Sequence, residues 1–205
     1  MWIDIEQNTD EWMALRAGKV GGSSIGTIMA NFGKAFGNPA HDLAVKLALE
    51  QITGQPHGNG YTNVHMERGH QQEPIARSLY EETNFCEVAN GGFFDNGDTG
   101  VSLDGLVDHD GSIEIKSVIA KVHYATVARN SFDPSYKWQL FFNLQQSGRD
   151  WIDFVSFCAE FPEGKRLFQH RIYREECGGK FAMIDDRMKS FRSLVKEKRN
   201  VIESL

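Results

Sequence analysis

Asp104, Glu114 and Lys116 carry the side chains in this sequence whose types and spacing are best suited to chemistry. Glu114 and Lys116 stand two residues apart, a spacing that turns both toward one face of a β-strand. Asp104 falls on the preceding strand of a predicted hairpin over Gly100–Val107 and Ser112–Val118, which flank Asp110-Gly111, the strongest short hairpin signal in the chain. Two carboxylates and an ammonium that converge in this way suit metal-assisted hydrolysis of a phosphodiester. Hard oxygen ligands hold Mg²⁺ or Mn²⁺, and a cation stands near the attacking water and the scissile phosphate. The carbonyl of Ile115, between the two strand residues, offers another oxygen. An ordinary exposed strand face is the competing explanation of the same pattern.

Other residues could join this group. Glu73, on a predicted helix upstream, could add a carboxylate, or could pair with Arg77 one helical turn later. Tyr136, Gln139 and Asn143 share one stripe of a helix otherwise filled by Trp138, Leu140, Phe141 and Leu144; that stripe either supports the site or faces water. Arg16 precedes a Gly21-Gly22-Ser23 helix start, so guanidinium, hydroxyl and backbone N–H groups could form a phosphate pocket. A surface arginine beside an ordinary N-cap explains the same residues. The histidines are scattered; His70 and His123 lie nearest the site blocks.

These residues need elements to position them, and the pattern predicts helices first and strands later. Ser23 and Ser24 read as the N-cap of a short helix containing Ile25, Ile28 and Met29. After a loop from Phe32 to Pro39, Leu43, Ala44, Leu47, Ala48 and Ile52 form a helical stripe that Gly54–Gly60 breaks. A long helix follows over about Asn63–Glu82, with Ile75, Ala76 and Leu79 facing inward. Asp133-Pro134 opens a helix ending near Gly148. Trp151–Cys158 and Leu167–Tyr173 read as strands around a Phe161–Gly164 turn, and Phe181, Ile184, Met188, Phe191 and Val195 mark a final amphipathic helix. The fold class is therefore α/β or α+β, with a central mixed sheet flanked by helices.

The chain has 205 residues, of which 40% are hydrophobic and 24% charged, the composition of one folded domain over residues 1–205. No apolar run is long enough to span a bilayer, and Met1-Trp2-Ile3-Asp4 does not open a secretory signal. The 3 cysteines make no C-x-x-C pair, which excludes a disulfide framework and fits a reducing cytoplasm. A net charge of -6 excludes a protein that holds nucleic acid by bulk positive charge. The charge is uneven, however: from Glu163 onward there are 11 Lys/Arg against 7 Asp/Glu. That basic tail is either a solvated helix face or a nucleic-acid contact. Neither G-x-x-x-x-G-K-[ST] nor H-E-x-x-H occurs, which disfavours nucleotide-driven and zincin chemistry.

Six blocks in order carry a resemblance. They are Trp12-Met13-Ala14-Leu15-Arg16, Gly21-Gly22-Ser23, Arg68-Gly69-His70-Gln71-Gln72-Glu73, Ser102-Leu103-Asp104-Gly105-Leu106, Glu114-Ile115-Lys116 and Tyr136-Lys137-Trp138-Gln139. In this succession the chain resembles the lambda exonuclease, or YqaJ-type viral recombinase, family. The resemblance implies a restriction-endonuclease-like core and a ring-shaped homotrimer. It also implies processive Mg²⁺-dependent 5′ to 3′ digestion of one strand of linear double-stranded DNA, leaving 3′ single strands for a single-strand annealing protein in a bacterial host's cytoplasm.

By the same resemblance, Asp104, Glu114 and the Ile115 carbonyl would hold metal, with two Mg²⁺ ions expected and Mn²⁺ an alternative. Lys116 would orient or activate water, Glu73 would hold water or a second ion, Gln139 would support the site, and Arg16 and Ser23 would grip the 5′-phosphate. The sequence departs from the family at Leu103, where Pro is usual, and at Phe141, where a second Gln is common. It departs again in the loop around Lys34, which is poor in cations. An endonuclease of restriction or junction type on the same core, and a non-catalytic DNA-end-binding subunit, are the alternative functions.

Overall fold

The computed structural model describes residues 1–57 and 64–205. The chain opens with β1 (Trp2–Ile3), α1 (Asp10–Arg16), α2 (Ile25–Met29), α3 (Asn38–Thr53) and α4 (Val64–Asn84). Then come β2 (Val88–Ala89), β3 (Phe93–Asp95), β4 (Gly100–Val101), β5 (Gly105–Val107), β6 (Gly111–Ser117), α5 (Ala120–Arg129) and α6 (Lys137–Ser147). β7 (Trp151–Phe157), β8 (Leu167–Tyr173) and α7 (Gly178–Glu203) complete it.

The main sheet has the order β2-β5-β6-β7-β8, and a smaller one has β1-β3-β4. β6 and β7 run parallel while the other pairs are antiparallel, so the central sheet is mixed. Parallel neighbours need a long crossover, and α5 and α6 supply it. Side chains alternate between the faces. Ile113 and Ile115 of β6 join Val155 and Phe157 of β7 against Ala76 and Tyr80 of α4. Ile152 and Phe154 of β7 turn the other way, into the larger core built from α2, α3, α6 and α7.

Several elements differ from expectation. The strand predicted over Gly100–Val107 is broken, because β4 and β5 belong to different sheets. Between them Leu103 is fully buried, its carbonyl accepts from Gln7 at 2.7 Å, and Ser102 accepts from the Trp12 indole at 2.8 Å. Asp104 therefore lies on the bend between strands rather than on one. The hairpin turn is Asp108-His109-Asp110, with Asp108 left-handed at φ 48°, and Gly111 already belongs to β6. That glycine answers packing: a Cβ there would meet the Trp151 ring at 1.9 Å.

Ile75 is 56% exposed, and Ala76 and Tyr80 take the inward positions on α4. Leu79 is half-buried against the same cluster, so the expected face holds except at Ile75, which follows Pro74 inside the helix. Ile52 is likewise exposed, at the end of α3 just before the left-handed cap Gly54. Ser24 is helical in conformation and makes no cap bond to α2; its hydroxyl bonds instead to the amide and carbonyl of Gly21. The helix expected from Asp133 begins as one 3-10 turn over Pro134–Tyr136, where the Asp133 carboxylate accepts from Ser135 N. Asn63, the expected start of α4, and the last glycines of the Gly54–Gly60 break lie outside the described residues.

Candidate active site

Glu114 is the buried centre of a polar cluster on β6. Its side chain leaves the sheet on the face covered by α6, and only 1% of the residue is exposed. The Lys116 ammonium lies 2.5 Å from Oε1, Gln139 Nε2 donates to the same oxygen at 2.6 Å, and Asn143 Nδ2 donates to Oε2 at 2.8 Å. The helical stripe of Tyr136, Gln139 and Asn143 therefore faces the site, not water, and Asn143 is itself 1% exposed. Tyr136 adds its ring, over which Lys116 Nζ stands at 5.1 Å.

Asp104 reaches the same place from the bend before β5. Its Oδ2 accepts from Ile115 N at 2.6 Å, and its backbone carbonyl accepts from the Arg77 guanidinium. Arg77 also approaches Glu73, one turn earlier on α4, at 3.5 Å. One turn beyond Arg77, Glu81 Oε1 accepts from Val88 N at 2.7 Å. A cavity of about 680 Å³ opens onto this group, lined by Glu73, Asp104, Ile115, Lys116 and Tyr136, with Val118, Ile119 and Val122 on its apolar wall. His70 lines it too, together with a second cavity that shares Glu73 and Asp104.

Burial and like charges dominate the electrostatics. Burial pushes the Glu114 carboxyl up to about 7, helped by the charge of Asp104 and opposed by Lys116 and Asn143. Burial also raises Asp104, against the pull of Lys116, the Ile115 N–H and Arg77. Glu73 is raised by burial and then by Asp104, with Arg77 opposing. Burial alone would lower the Lys116 ammonium, but Glu114 and Asp104 hold it above its usual range. Three carboxylates are thus gathered around one ammonium and one guanidinium, so the cluster is short of positive charge.

That shortage, with hard oxygen donors in two acidic side chains and the Ile115 backbone, is a donor set fitted to a divalent cation. Among the described residues no three His, Cys, Asp or Glu side chains are grouped closely enough to hold an ion by themselves. Asp104 and Glu114 would therefore need backbone oxygen, water or a substrate phosphate to complete a coordination shell.

Among the described residues Arg16 and Ser23 make no hydrogen bond to this cluster. Arg16 ends α1 with its guanidinium stacked 3.9 Å from the Trp12 ring centroid. Burial lowers its pKa, and Glu50 opposes that shift. Glu50, buried on α3, was not singled out from sequence; it accepts from Gly18 N at 2.9 Å and so shapes the turn after Arg16. A Cβ at Gly21 would lie 3.6 Å from Arg16 Nη2, which places the guanidinium beside the segment that opens α2. Ser23 is exposed on that segment.

The sequence departures have local explanations. Leu103 is core, and Phe141 packs edge-on against Phe132 and Trp138 rather than supporting the carboxylates. His123 is fully buried, with its two ring nitrogens against Ser156 Oγ and the Lys165 carbonyl, and it has a packing role.

Several charges of the basic tail are paired within the chain, some of them at its surface. Arg171 pairs with Asp153, Arg192 with Asp98 and Arg199 with Glu203. Arg187, absent from the sequence reading, is 7% exposed and donates to the carbonyls of Ile28, Ala30 and Lys34 while stacking 3.8 Å from Phe36. It ties the loop around Lys34 to α7.

A mixed sheet with two carboxylates and a lysine converging beside a cavity is an arrangement able to serve metal-assisted phosphodiester hydrolysis. A family model described as the YqaJ-like viral recombinase domain matches residues 11–150, and the chain belongs to that family. A search of curated protein sequences found no match. Among solved structures, the chain is similar to the alkaline exonuclease LHK-Exo from Laribacter hongkongensis, with TM-score 0.83, 28% identity, and 96% of this chain and 97% of that one covered. It is similar to LHK-Exo in complex with dAMP at TM-score 0.84, with the same identity and coverage. A phage related exonuclease from Haemophilus somnus 129PT shares the fold at TM-score 0.65 and 17% identity, over 94% of this chain and 98% of the other. Among the described residues no helix is long and apolar enough to cross a membrane.

Proposed function

We infer that this chain is a metal-dependent deoxyribonuclease of recombination. Acting as one exonuclease domain over residues 1–205, it digests one strand of linear double-stranded DNA from 5′ to 3′ and leaves a 3′ single strand for an annealing protein. The observation that carries the reading is the buried Glu114 carboxylate. Lys116, Gln139 and Asn143 hold it beside a cavity that Asp104 and Glu73 also line. The family match and the likeness to LHK-Exo, an alkaline exonuclease, agree with it. That relative binds dAMP, a nucleoside monophosphate of the kind an exonuclease releases.

Asp104, Glu114 and the Ile115 carbonyl would hold Mg²⁺, with Glu73 placed to hold water or a second ion. A bound ion supplies Lewis-acid polarisation of the phosphate and a lowered water pKa; Mn²⁺ has the same preference for oxygen. The protein's own residues do the rest. Gln139 and Asn143 donate to both oxygens of Glu114 and so fix its plane. Lys116, kept charged by two carboxylates, donates to the attacking water and to the charge that develops on phosphate. Arg16, stacked on Trp12, and Ser23 receive the 5′-phosphate of the resected strand, so each cleavage presents the next phosphate to the same pocket. A homotrimeric ring would keep the duplex from leaving between steps, which suits a chain without bulk positive charge.

The test compares linear duplexes bearing a 5′-phosphate or a 5′-hydroxyl, with and without Mg²⁺, alongside covalently closed plasmid. Mg²⁺-dependent digestion that prefers the phosphorylated end and spares the plasmid is expected. Cutting of the closed circle would make the chain an endonuclease, and indifference to the end group would remove Arg16 and Ser23 from their role.

A further inference from the structure

We propose that Asn143 is a positioning residue through which the Gly21–Ser24 segment sets the Glu114 carboxylate. The inference rests on the reading of Glu114 as a cation ligand and extends it to residues that make no contact with the ion.

Asn143 is 1% exposed, and its Nδ2 donates to Glu114 Oε2 at 2.8 Å. The opposite amide orientation would set oxygen against oxygen, so the carboxylate dictates which way the amide points. Oδ1 is thereby turned away from Glu114, and among the described residues it has no hydrogen-bond partner. A buried carbonyl oxygen left in this state is costly and needs a reason. On the side of that oxygen the backbone of Gly22 closes in. A Cβ built at Gly22 would fall 2.1 Å from Asn143 Oδ1 and 3.1 Å from its Cγ, so only glycine lets this backbone close on the amide.

Gly22 is flanked by Gly21, whose own Cβ position lies 3.6 Å from Arg16 Nη2, and by the exposed Ser23. Ser24 locks the segment by bonding to both the amide and the carbonyl of Gly21. One short turn therefore runs beside the Arg16 guanidinium at one residue and packs against the amide behind Glu114 at the next. A DNA end seated against Arg16 and Ser23 holds this turn still. Through Asn143 it then also holds the carboxylate that must grip the ion.

The experiment reads metal binding rather than turnover. Mn²⁺ is titrated against thermal unfolding of the full chain without DNA, for the wild type, Gly22→Ala, Asn143→Ala, the double variant and Glu114→Gln, with melting in EDTA as the measure of the fold. Gly22→Ala and Asn143→Ala are each expected to raise half-saturating Mn²⁺ by roughly tenfold or more, the usual size for a residue that orients a ligand, and Glu114→Gln to abolish the shift. Melting in EDTA should fall modestly, for a lost bond to a buried carboxylate or a methyl added in a packed site, and is read separately from the Mn²⁺ midpoint. In the Asn143→Ala background Gly22→Ala should cost nothing further, because the shortened side chain makes room for the added methyl.

Additive losses, or a Gly22→Ala chain that binds Mn²⁺ normally, would overturn the link while leaving Glu114 as a ligand. If the wild type shows no Mn²⁺ shift that Glu114→Gln abolishes, both the ligand reading and the link fall. Should Gly22→Ala not fold, a double variant that folds supports the contact, and one that does not overturns it.

Discussion

Glu114 and Asp153 sit on neighbouring strands, each with 1% of its surface exposed, and their surroundings are opposite. Asp153 pairs in register with Ile113 and so points to the α4 face, away from Glu114. There Arg171 grips it through two bonds of 2.8 Å, the Tyr80 hydroxyl donates at 2.6 Å, and the guanidinium is stacked 3.5 Å from the Trp151 ring. Glu114 instead receives two neutral amides and one ammonium, with a second carboxylate close enough to raise it. One acid is fully matched in charge and closed off. The other is held in place, left short of positive charge, and set beside a cavity. Burial of a carboxylate is therefore uninformative by itself; what separates a structural acid from a candidate ligand is whether the protein completes its neutralisation.

The largest effect should come from Glu114→Gln, which keeps shape and removes charge. Activity on linear duplex should fall by about 10³-fold or more, the scale seen when a preorganised electrostatic group is lost, while the chain still melts cooperatively. Retained nuclease activity would break the comparison at its functional end.

Asp153→Asn should do the reverse, lowering stability by about 2–3 kcal/mol in denaturant titration. Breaking a buried pair typically costs more, but Arg171 is partly solvated and can rehydrate. Activity per folded molecule should hold.

The effect of pH follows next. Because the Glu114 carboxyl is raised from 4.5 to about 7, its neutral form dominates below that value, and a neutral carboxyl does not bind a cation. Mn²⁺ affinity should drop by about tenfold per pH unit below roughly 7 and level off above, a loss of one ligand charge that binding isotherms can follow. In metal-free protein the sign for stability is opposite. The folded pKa is raised, so Glu114's contribution is fully present below 4.5 and is lost as pH rises through about 7. A pH-independent Mn²⁺ isotherm would break the link between the raised carboxyl of Glu114 and cation binding.

The smallest effect should be Tyr80→Phe, which removes one bond to Asp153 and should cost about 1–2 kcal/mol in melting studies with no change in metal affinity. A change in metal affinity would couple the two acids and blur the contrast.

Local patterns made most elements legible in the sequence. Spacing of Ile184, Met188, Phe191 and Val195 marked α7, and those four are buried. The Glu-x-Lys alternation placed Glu114 and Lys116 together on one strand face, where they form an ion pair. The position of Asp104 was not legible, because it depends on Leu103 choosing the core and on bonds from Gln7 and Arg77, both distant in the chain. The tail's charge was only partly informative for a related reason: composition counts charges, but Arg171, Arg174 and Arg187 are engaged by partners that only folding brings near.

Residue types and short-range spacing thus determined which groups are available and which share a face, since those follow from the fixed geometry of a strand or a helix turn. Tertiary structure alone decided how each charge is answered. Glu114 and Asp153 are both single acids within predicted strands, and their surroundings differ because α6 brings amides to one side of the sheet while β8 and α4 bring a guanidinium and a phenol to the other. Charge matching acts through space over a few ångströms, and distance along the sequence carries no record of it.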